Sequence, residues 1–314
     1  MSKMENISLI KYISIFLLFS IFLQIILGAW VRLTGSGMSC PDWPLCYGFI
    51  FPTPTKLDYI ENINYTYFQI FLEWAHRANA AFVIGPITII LGLVIFIKNN
   101  TEKIYKKYAF LLLMLLGIQG ALGGLTVLKS NIPWSVAIHL MFAFLLYLTV
   151  LLIILQALNI SNYSFKGSFL LKVNSLFIAI FTLLAACLGA FTSKYGASLS
   201  CYNWPGCTNN FFPDIGNSFE VIHFSHRIVA FTLLLLMVTF FINIISYLKF
   251  LTKHTKVILL LILLVIFSQI SFGALLIFLK IPVWLGIMHQ AFGLLLFTLI
   301  IILNLQMDIK KDYK

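Results

Sequence analysis

The chain has 314 residues, of which 61% are hydrophobic and only 10% are charged, and its mean hydropathy is +0.99. This composition excludes a soluble globular protein with a charged surface and indicates a protein that lies in a lipid bilayer. The formal net charge of +11 would suit a nucleic-acid partner, but the distribution of the basic residues favours a membrane protein with no nucleic acid.

Apolar segments of about 20 residues, the length that a helix needs to cross a bilayer, recur along the whole chain. They predict eight transmembrane helices, at 12–30, 68–97, 108–128, 132–157, 173–193, 219–248, 257–279 and 282–305. No small-residue cleavage site follows the first segment, so we expect a retained helix and not a signal peptide. The predicted fold class is therefore an all-α membrane protein without a separate soluble domain.

The basic residues gather on one side of these helices. Fourteen of the 21 lysines and arginines lie at the two ends of the chain or in the connections after helices two, four and six. They are Lys3, Lys11, Lys98, Lys103, Lys106, Lys107, Lys166, Lys172, Lys249, Lys253, Lys256, Lys310, Lys311 and Lys314. The positive-inside rule makes this side cytoplasmic and places both termini there. Without a transit-peptide composition, a bacterial plasma membrane is the expected location.

The two longest connections, 31–67 and 194–218, then face outward, and each contains a pair of cysteines. Cys40 and Cys46 in the first, and Cys201 and Cys207 in the second, are separated by five residues. Because disulfides persist outside the cytoplasm, we expect both pairs to be closed. Structural pinning is the main expectation for the second pair, whereas a redox role by thiol exchange stays open for the first. Cys187 is expected to be a buried free thiol.

The second half of the chain repeats the first. At an offset of 150, His76-Arg77 returns as His226-Arg227 and His139 returns as His289. Upstream, the offset is 161, so the second copy is 11 residues shorter between its cysteine loop and its first histidine. Further recurring positions are Gly28 with Gly189, Gln119 with Gln269, Gly123 with Gly273 and Trp134 with Trp284. This duplication predicts two four-helix bundles, residues 1–160 and 161–314.

Four histidines in the predicted helices form two pairs at a similar depth. A rise of about 1.5 Å per residue places them roughly 10–12 Å from the outer ends of their helices. A histidine at this depth is costly unless it faces the bundle and has a partner. Two facing imidazoles without cysteine or carboxylate suit the axial positions of haem iron better than zinc. A hydrogen-bonded pair of core histidines is the alternative, and His254, in a lysine-rich inner loop, is expected on the surface.

One difference makes the two halves unequal. Glu73 lies three residues before His76 and shares its helix face, whereas His223 occupies the matching position before His226. Glu73 is either an ion-pair partner of Arg77 or an acid/base or charge-stabilising group beside a reacting centre. Two roles are also open for Arg77 and Arg227, which either pair with haem propionates or reach to the outer interface.

Several motifs, taken in order, resemble those of the haem A synthase family. They are Leu-Thr-Gly-Ser-Gly at 33–37, Cys-Pro-Asp-Trp-Pro-Leu-Cys at 40–46, Glu73-Trp-Ala-His76-Arg77, Gly-Gly-Leu-Thr-Val at 123–127, His226-Arg227 and His289. Each motif alone is weak, but their order and duplication are specific. The resemblance extends over roughly residues 12–305.

The resemblance implies a membrane oxidoreductase that converts haem O to haem A, oxidising a ring methyl to a formyl group by two hydroxylations. By position, it assigns His76 and His139 to the iron of substrate haem O, with Arg77 beside them. It assigns His226 and His289 to the iron of a resident haem b, with Arg227. Glu73 would be the catalytic carboxylate, and Cys40 and Cys46 the outer pair linked to turnover. Haem O synthase and a terminal oxidase that uses haem A are the implied partners, and the electron acceptor is left open between a quinone and another membrane carrier.

Other classes of protein share some of these features. A b-type electron-transfer cytochrome would hold two permanent haems, but it needs no acid in one half only. A quinone-linked thiol oxidoreductase would centre on the cysteines and leave the duplicated histidines without a role. A prenyltransferase requires paired aspartate-rich motifs, whereas the ten acidic residues here are scattered. A haem exporter or chaperone also stays open.

Overall fold

The structure is a computed structural model that describes residues 3–98, 102–160 and 164–309. Within these residues, eight helices are long and apolar enough to cross a membrane, which confirms the predicted all-α, eight-span fold class. The spans are Ile7–Leu33, Tyr67–Ile97, Lys103–Leu128, Pro133–Ala157, Phe169–Tyr195, Ser218–Phe250, Lys253–Phe278 and Val283–Leu305. Lys310, Lys311 and Lys314, which contribute to the predicted orientation, lie outside the described residues.

The elements follow the hydropathy pattern closely. In chain order the helices are α1 (Lys3–Leu33), α2 (Pro54–Leu57), α3 (Tyr67–Ala78), α4 (Gly85–Ile97), α5 (Lys103–Leu128), α6 (Pro133–Ala157), α7 (Phe169–Tyr195), α8 (Ser218–Ile244), α9 (Lys253–Phe278) and α10 (Val283–Leu305). A π-helical turn, Asn79–Ile84, lies between α3 and α4, and a 3-10 segment, Ile245–Phe250, follows α8. The strands are β1 (Phe165–Gly167) and β2 (Met307–Ile309).

The chain divides into two compact units, Met1–Ala157 and Leu158–Lys314. In the first unit α1 packs against α3, α4 and α6, and α5 packs against α4 and α6. In the second unit α7 packs against α8 and α10, and α9 packs against α10. Three of these contacts correspond between the units, whereas the packing of α4 against α5 has no comparable counterpart between α8 and α9 among the described residues. The division lies close to the predicted boundary at residue 160, while the assignment of a different haem to each half stays a prediction.

Polar caps fix where the site-bearing helices begin. The side chain of Thr66 accepts from the backbone N–H of Gln69, and the Gln69 side chain accepts from that of Thr66, which forms a capping box at the start of α3. At the start of α8 the Asn217 side chain accepts from the backbone N–H of Phe219, without a capping box. These starts set the depths of His76 and His226 at about 12–14 Å along their helices.

The second span of the first unit is interrupted directly after the histidine. The π-helical turn Asn79–Ile84 ends at Gly85, and Pro86 follows in the first turn of α4. Proline has no N–H and its ring crowds the carbonyl four residues earlier, so a regular ladder cannot pass through it. In the second unit, α8 continues as α-helix through the matching position, where Leu236 replaces the proline. The two units therefore differ in backbone beside their first histidines.

Two short strands, not predicted from the sequence, close the second unit. β1 pairs in parallel with β2, from Phe165 opposite Met307 to Gly167 opposite Ile309. The Lys172 ammonium donates to the Met307 carbonyl at 2.7 Å, and the Asn304 amide donates to the Lys172 carbonyl at 2.9 Å. The segment before α7 is therefore held against the segment after α10.

Small residues let helices of the first unit pack closely. A Cβ added to Gly92 of α4 would lie 2.9 Å from Cδ1 and 3.1 Å from Cγ of Leu113 on α5. Membrane helices associate largely through such close packing, since lipid is as apolar as their side chains. Gly92 thus sets the distance between α4 and α5.

We expect Gly92→Leu to lower the midpoint of thermal unfolding by about 2–8 °C, because overpacking a tight contact costs about 1–3 kcal/mol. The matched control is Gly117→Leu on α5, since a Cβ at Gly117 meets no heavy atom within 4 Å. Detergent-solubilised protein can be followed by intrinsic fluorescence on heating. Equal midpoints for the two variants would contradict the packing assigned to Gly92.

Candidate functional site

Each of the four predicted histidines lies with the edge of its ring against a glycine of the preceding long helix. A Cβ on Gly28 would lie 3.0 Å from Cε1 of His76, and a Cβ on Gly189 would lie 3.1 Å from Cε1 of His226. The second histidines repeat the arrangement more loosely, with Gly123 3.4 Å from His139 and Gly273 3.7 Å from His289 by the same measure. A side chain at Gly28 or Gly189 would have to push the ring of His76 or His226 aside by a few tenths of an ångström. The structure thus builds the same imidazole setting four times.

The imidazole nitrogens point to a ligand. Nδ1 of His76, His139 and His226 is buried and accepts or donates no hydrogen bond among the described residues. Buried polar atoms are nearly always partnered, so these rings are incompletely satisfied within the protein, as expected of side chains that bind another group. His76 and His139 lie close enough to interact electrostatically. In the part of the chain that the structure describes, no group of three or more His, Cys, Asp or Glu residues could hold a bare metal ion.

These observations test whether the residues fit haem. Two neutral imidazoles supply the axial ligands of a six-coordinate haem iron, and the porphyrin supplies the remaining four nitrogens. A tetrahedral metal site would need further cysteine, histidine or carboxylate ligands, which the described residues do not gather. The paired histidines, the unpartnered nitrogens and the glycine contacts therefore fit haem better than a bare metal ion.

Glu73 is buried, with 4% of its surface exposed, and its carboxylate accepts three hydrogen bonds. The Arg77 guanidinium donates to Oε1 at 2.6 Å, so the ion pair that the sequence left as one alternative is present. The Ser39 hydroxyl and the backbone N–H of Cys40 both donate to Oε2, at 3.0 and 2.8 Å. The carboxylate therefore connects the helix that carries His76 to the first cysteine loop.

Arg77 holds the carbonyl groups of that loop. Its guanidinium donates to the carbonyl oxygens of Cys40 at 2.9 Å, Asp42 at 2.5 Å and Leu45 at 2.7 Å. The Asp42 carboxylate completes the turn by accepting from the N–H groups of Tyr47 and Gly48. A planar guanidinium with five donors suits this task, because it addresses several carbonyls at fixed angles.

The second unit repeats the anchor with different chemistry. Arg227 donates to the carbonyls of Cys201 and Asn203, each at 2.6 Å, and to that of Gly206. His223 takes the place of Glu73: the N–H of Cys201 lies 3.2 Å from its Nδ1, and Nε of Arg227 lies 3.2 Å from its Nε2. A neutral imidazole accepts at one nitrogen only, whereas a carboxylate accepts at both oxygens. The first unit alone therefore combines this anchor with a carboxylate.

Both predicted disulfides are formed. Cys40 bonds to Cys46 with an S–S distance of 1.98 Å, and Cys201 bonds to Cys207 at 1.97 Å. All four cysteines are buried, and Cys187 is a partly buried free thiol. The second disulfide also has a carboxylate nearby, since Oε2 of Glu220 lies 3.7 Å from the sulfur of Cys207. In the first copy, Ile70 stands at the position of Glu220.

Sequence reasoning missed some residues that complete the site. Ser39 binds Glu73, and Asn131 donates to the Gly37 carbonyl at 3.1 Å, which ties the connection after α5 to the first cysteine loop. Trp43 lies against α5, where a Cβ on Gly124 would approach its ring to 3.4 Å. Gln24 contacts His76 at 3.4 Å. A glutamine inside an apolar span, four residues before a repeated glycine, was the available signal for Gln24.

The fold and the site define an eight-span, all-α membrane protein with a pair of half-buried histidines and a disulfide-closed loop in each half. The family model described as cytochrome oxidase assembly protein, COX15-CtaA, matches residues 11–301. The chain belongs to this family.

Curated relatives match over most of their length. The chain is 27% identical to a protein named heme A synthase from Shewanella oneidensis, with 90% of this chain and 92% of the relative covered. It is 26% identical to heme A synthase from Shouchella clausii, with 93% and 94% covered. A protein of that name from Pelagibacter ubique is 29% identical, with 77% and 80% covered.

We expect Arg77→Lys to make the Cys40–Cys46 disulfide more open to reductant, because one ammonium cannot replace the fork that holds three carbonyls and Glu73. Loss of even one charge-assisted hydrogen bond, about 1.5–3 kcal/mol, should raise the rate of reduction by about tenfold or more. Mass spectrometry after timed exposure to a water-soluble phosphine measures that rate. Cys201–Cys207 in the same molecule is the internal control.

The reciprocal variant, Arg227→Lys, should open Cys201–Cys207 and leave the first disulfide at its normal rate. If both disulfides in either variant are reduced as slowly as in the unmodified protein, the arginines do not hold the loops.

Proposed function

We propose that this protein oxidises a ring methyl group of haem O to a formyl group and so makes haem A. The observation that carries the proposal is the pair of repeated imidazole settings, of which only the first has a buried carboxylate, Glu73, on the same helix as its histidine. The names of the curated relatives support the same activity. The first unit is therefore the proposed substrate site.

In the first unit, His76 and His139 would hold the iron of substrate haem O. In the second unit, His226 and His289 would hold the iron of a resident haem b, which when bound supplies electron transfer. Arg77 and Arg227 belong to the two sites as the residues that hold the outer loops against the helices of the first histidines. This division rests on the carboxylate, because a permanent redox group needs no proton acceptor at its edge.

The reaction itself demands a path for protons and electrons. Conversion of a methyl group to a formyl group takes up one water in the net balance and releases four protons and four electrons. The electrons require an external acceptor, for which we propose the quinone class. The protons must leave a low-dielectric site, and a carboxylate beside the reacting carbon can accept them one at a time. Glu73 is proposed for this role, with Arg77 stabilising its anionic form.

Cys40 and Cys46 are included in the proposed site because of the contact between their loop and Glu73. The N–H of Cys40 donates to Oε2, so a change in the loop would alter the hydrogen bonds of the carboxylate. The second disulfide, which has His223 in that place, is proposed to be structural. Burial of all four sulfurs means that exchange with an outside thiol requires the loop to open.

We propose a bacterial plasma membrane as the location, with both termini in the cytoplasm and both cysteine loops outside. The skewed distribution of lysines supports this orientation, and an oxidising compartment would allow the two disulfides to persist. Haem O synthase would supply the substrate and a terminal oxidase would use the product.

We expect His226→Ala and His289→Ala to remove the bis-imidazole haem b spectrum from the purified protein, because each change deletes one of the two proposed axial ligands. His76→Ala should keep that spectrum. Absorbance spectra of oxidised and reduced protein, with pyridine-haemochrome analysis, measure the effect. An intact haem b spectrum in both second-unit variants would refute the assignment.

Glu73→Gln keeps the shape of the side chain but removes its charge. We expect normal membrane insertion and haem b content, at least a tenfold loss of haem A, and accumulation of haem O or its hydroxylated form, since general acid/base catalysis contributes about 10²–10⁴-fold. Chromatography of extracted haems measures the products. Glu61→Gln makes the same change in charge at an exposed position of the outer loop and should leave the yield unchanged. A normal yield of haem A from Glu73→Gln would leave Glu73 a structural role only.

A further inference from the structure

Two glutamines contact the histidine rings of the first unit. Nε2 of Gln24 lies 3.4 Å from Nε2 of His76 and donates to the His76 carbonyl oxygen at 2.8 Å, and Gln24 Oε1 accepts from Asn79. On α5, Nε2 of Gln119 lies 3.4 Å from Nε2 of His139. Each amide N–H can therefore donate to the ring nitrogen on which a lone pair is available.

The second unit departs from this pattern at the position of Gln24. Ala185 replaces Gln24 and offers only its backbone to His226. At the position that matches Gln119, the second unit keeps a glutamine, Gln269, and its amide donates to the backbone carbonyl of His289 at 2.7 Å. The difference does not arise from a shifted helix, since Cβ positions at Gly28 and Gly189 approach Nδ1 of their histidines to the same 3.6 Å. His76 and His226 therefore pack on their glycines in the same way, and only His76 has a side-chain amide, that of Gln24, in place of Ala185.

The amide of Gln119 is costly where it lies. Its Oε1 is buried and has no hydrogen-bond partner among the described residues, within a helix that crosses the membrane. An unsatisfied polar atom in that environment is destabilising, so the contact of its amide nitrogen with His139 has to offset the cost. The lone pair that this N–H would engage is also the one that a haem iron needs, because a neutral imidazole has a single available lone pair.

We propose that Gln24 and Gln119 are positioning residues that hold His76 and His139 while the first unit is free of substrate, and that they compete with haem iron for Nε2. This inference rests on the proposed function, in which the first unit exchanges substrate and product and the second keeps its haem. A site that must release its product benefits from donors that stabilise the empty state. A permanent site has no such need, in keeping with Ala185.

The decisive variant is Gln119→Leu, because Gln119 has no second hydrogen bond to the described residues whose loss would confuse the result. Removal of the donor leaves Nε2 unsatisfied only in the empty state, so binding of haem should tighten and not weaken. Purified protein that holds haem b in its second unit is titrated with ferric protoporphyrin IX, and release is followed by transfer to apomyoglobin. We expect the dissociation constant and the release rate to fall on the order of tenfold.

A merely structural role predicts the opposite sign, since a damaged site binds haem more weakly. Gln269→Leu is the matched control at the equivalent position, and it should leave binding to the first unit unchanged. Gln119→Met provides a second apolar variant of similar length if Gln119→Leu does not fold. Unchanged or weaker binding in the folded variant would overturn the inference.

Ala185→Gln tests the reverse change, because it places a donor four residues before the glycine that packs on His226. It should speed the release of haem b on the order of tenfold. His76→Ala and His139→Ala separate the two levels of proposal. If they fail to abolish uptake of the titrated haem, the proposed substrate site is wrong; if they abolish it while Gln119→Leu has no effect, only the role of the glutamines is wrong.

Discussion

The absence of water inside the bilayer is the constraint on which the rest of this structure depends. A polar atom on a spanning helix must find its partner within the protein or on a ligand. Glu73 meets this requirement with three donors, and Arg77 meets it with loop carbonyls and the same carboxylate. The imidazole Nδ1 atoms of His76 and His226 do not meet it within the described residues. That contrast separates side chains that maintain the fold from side chains that are held ready for another molecule.

The same requirement explains the two cysteine loops. Their carbonyl groups turn toward the helices, where an arginine one residue after the histidine collects them in both units. The histidine and the loop are therefore connected through a single helical turn. In the first unit the carboxylate joins this connection, and in the second an imidazole does. Both units keep the arginine that holds the cysteine loop, but the residue that accepts from the loop N–H is Glu73 in the first unit and His223 in the second. The chemistry of one unit can therefore vary while its loop stays in place.

The sequence predicts what depends on local pattern. Hydropathy gives all eight spans, the spacing of cysteines gives both disulfides, and the step from Glu73 to Arg77 allows an ion pair on one helix face. The sequence does not predict contacts with backbone carbonyls, because every residue has one and residue type does not show which of them a side chain will reach. The role of Arg77 in the loop was missed for that reason. The contact of Gln24 with His76 depends on the register between α1 and α3, which no local pattern contains. The assignment of a different haem to each unit remains a prediction.

The pairing of β1 with β2 has a consequence for how such a chain could arise. Because these strands bind each other, the polypeptide enters and leaves the second unit at neighbouring points. A segment whose two ends lie close together can be duplicated in tandem with only a short linker, and each copy can fold as a unit of its own. The pairing of β1 with β2, which holds the ends of the second unit together, thus also favours duplication of such a unit during evolution.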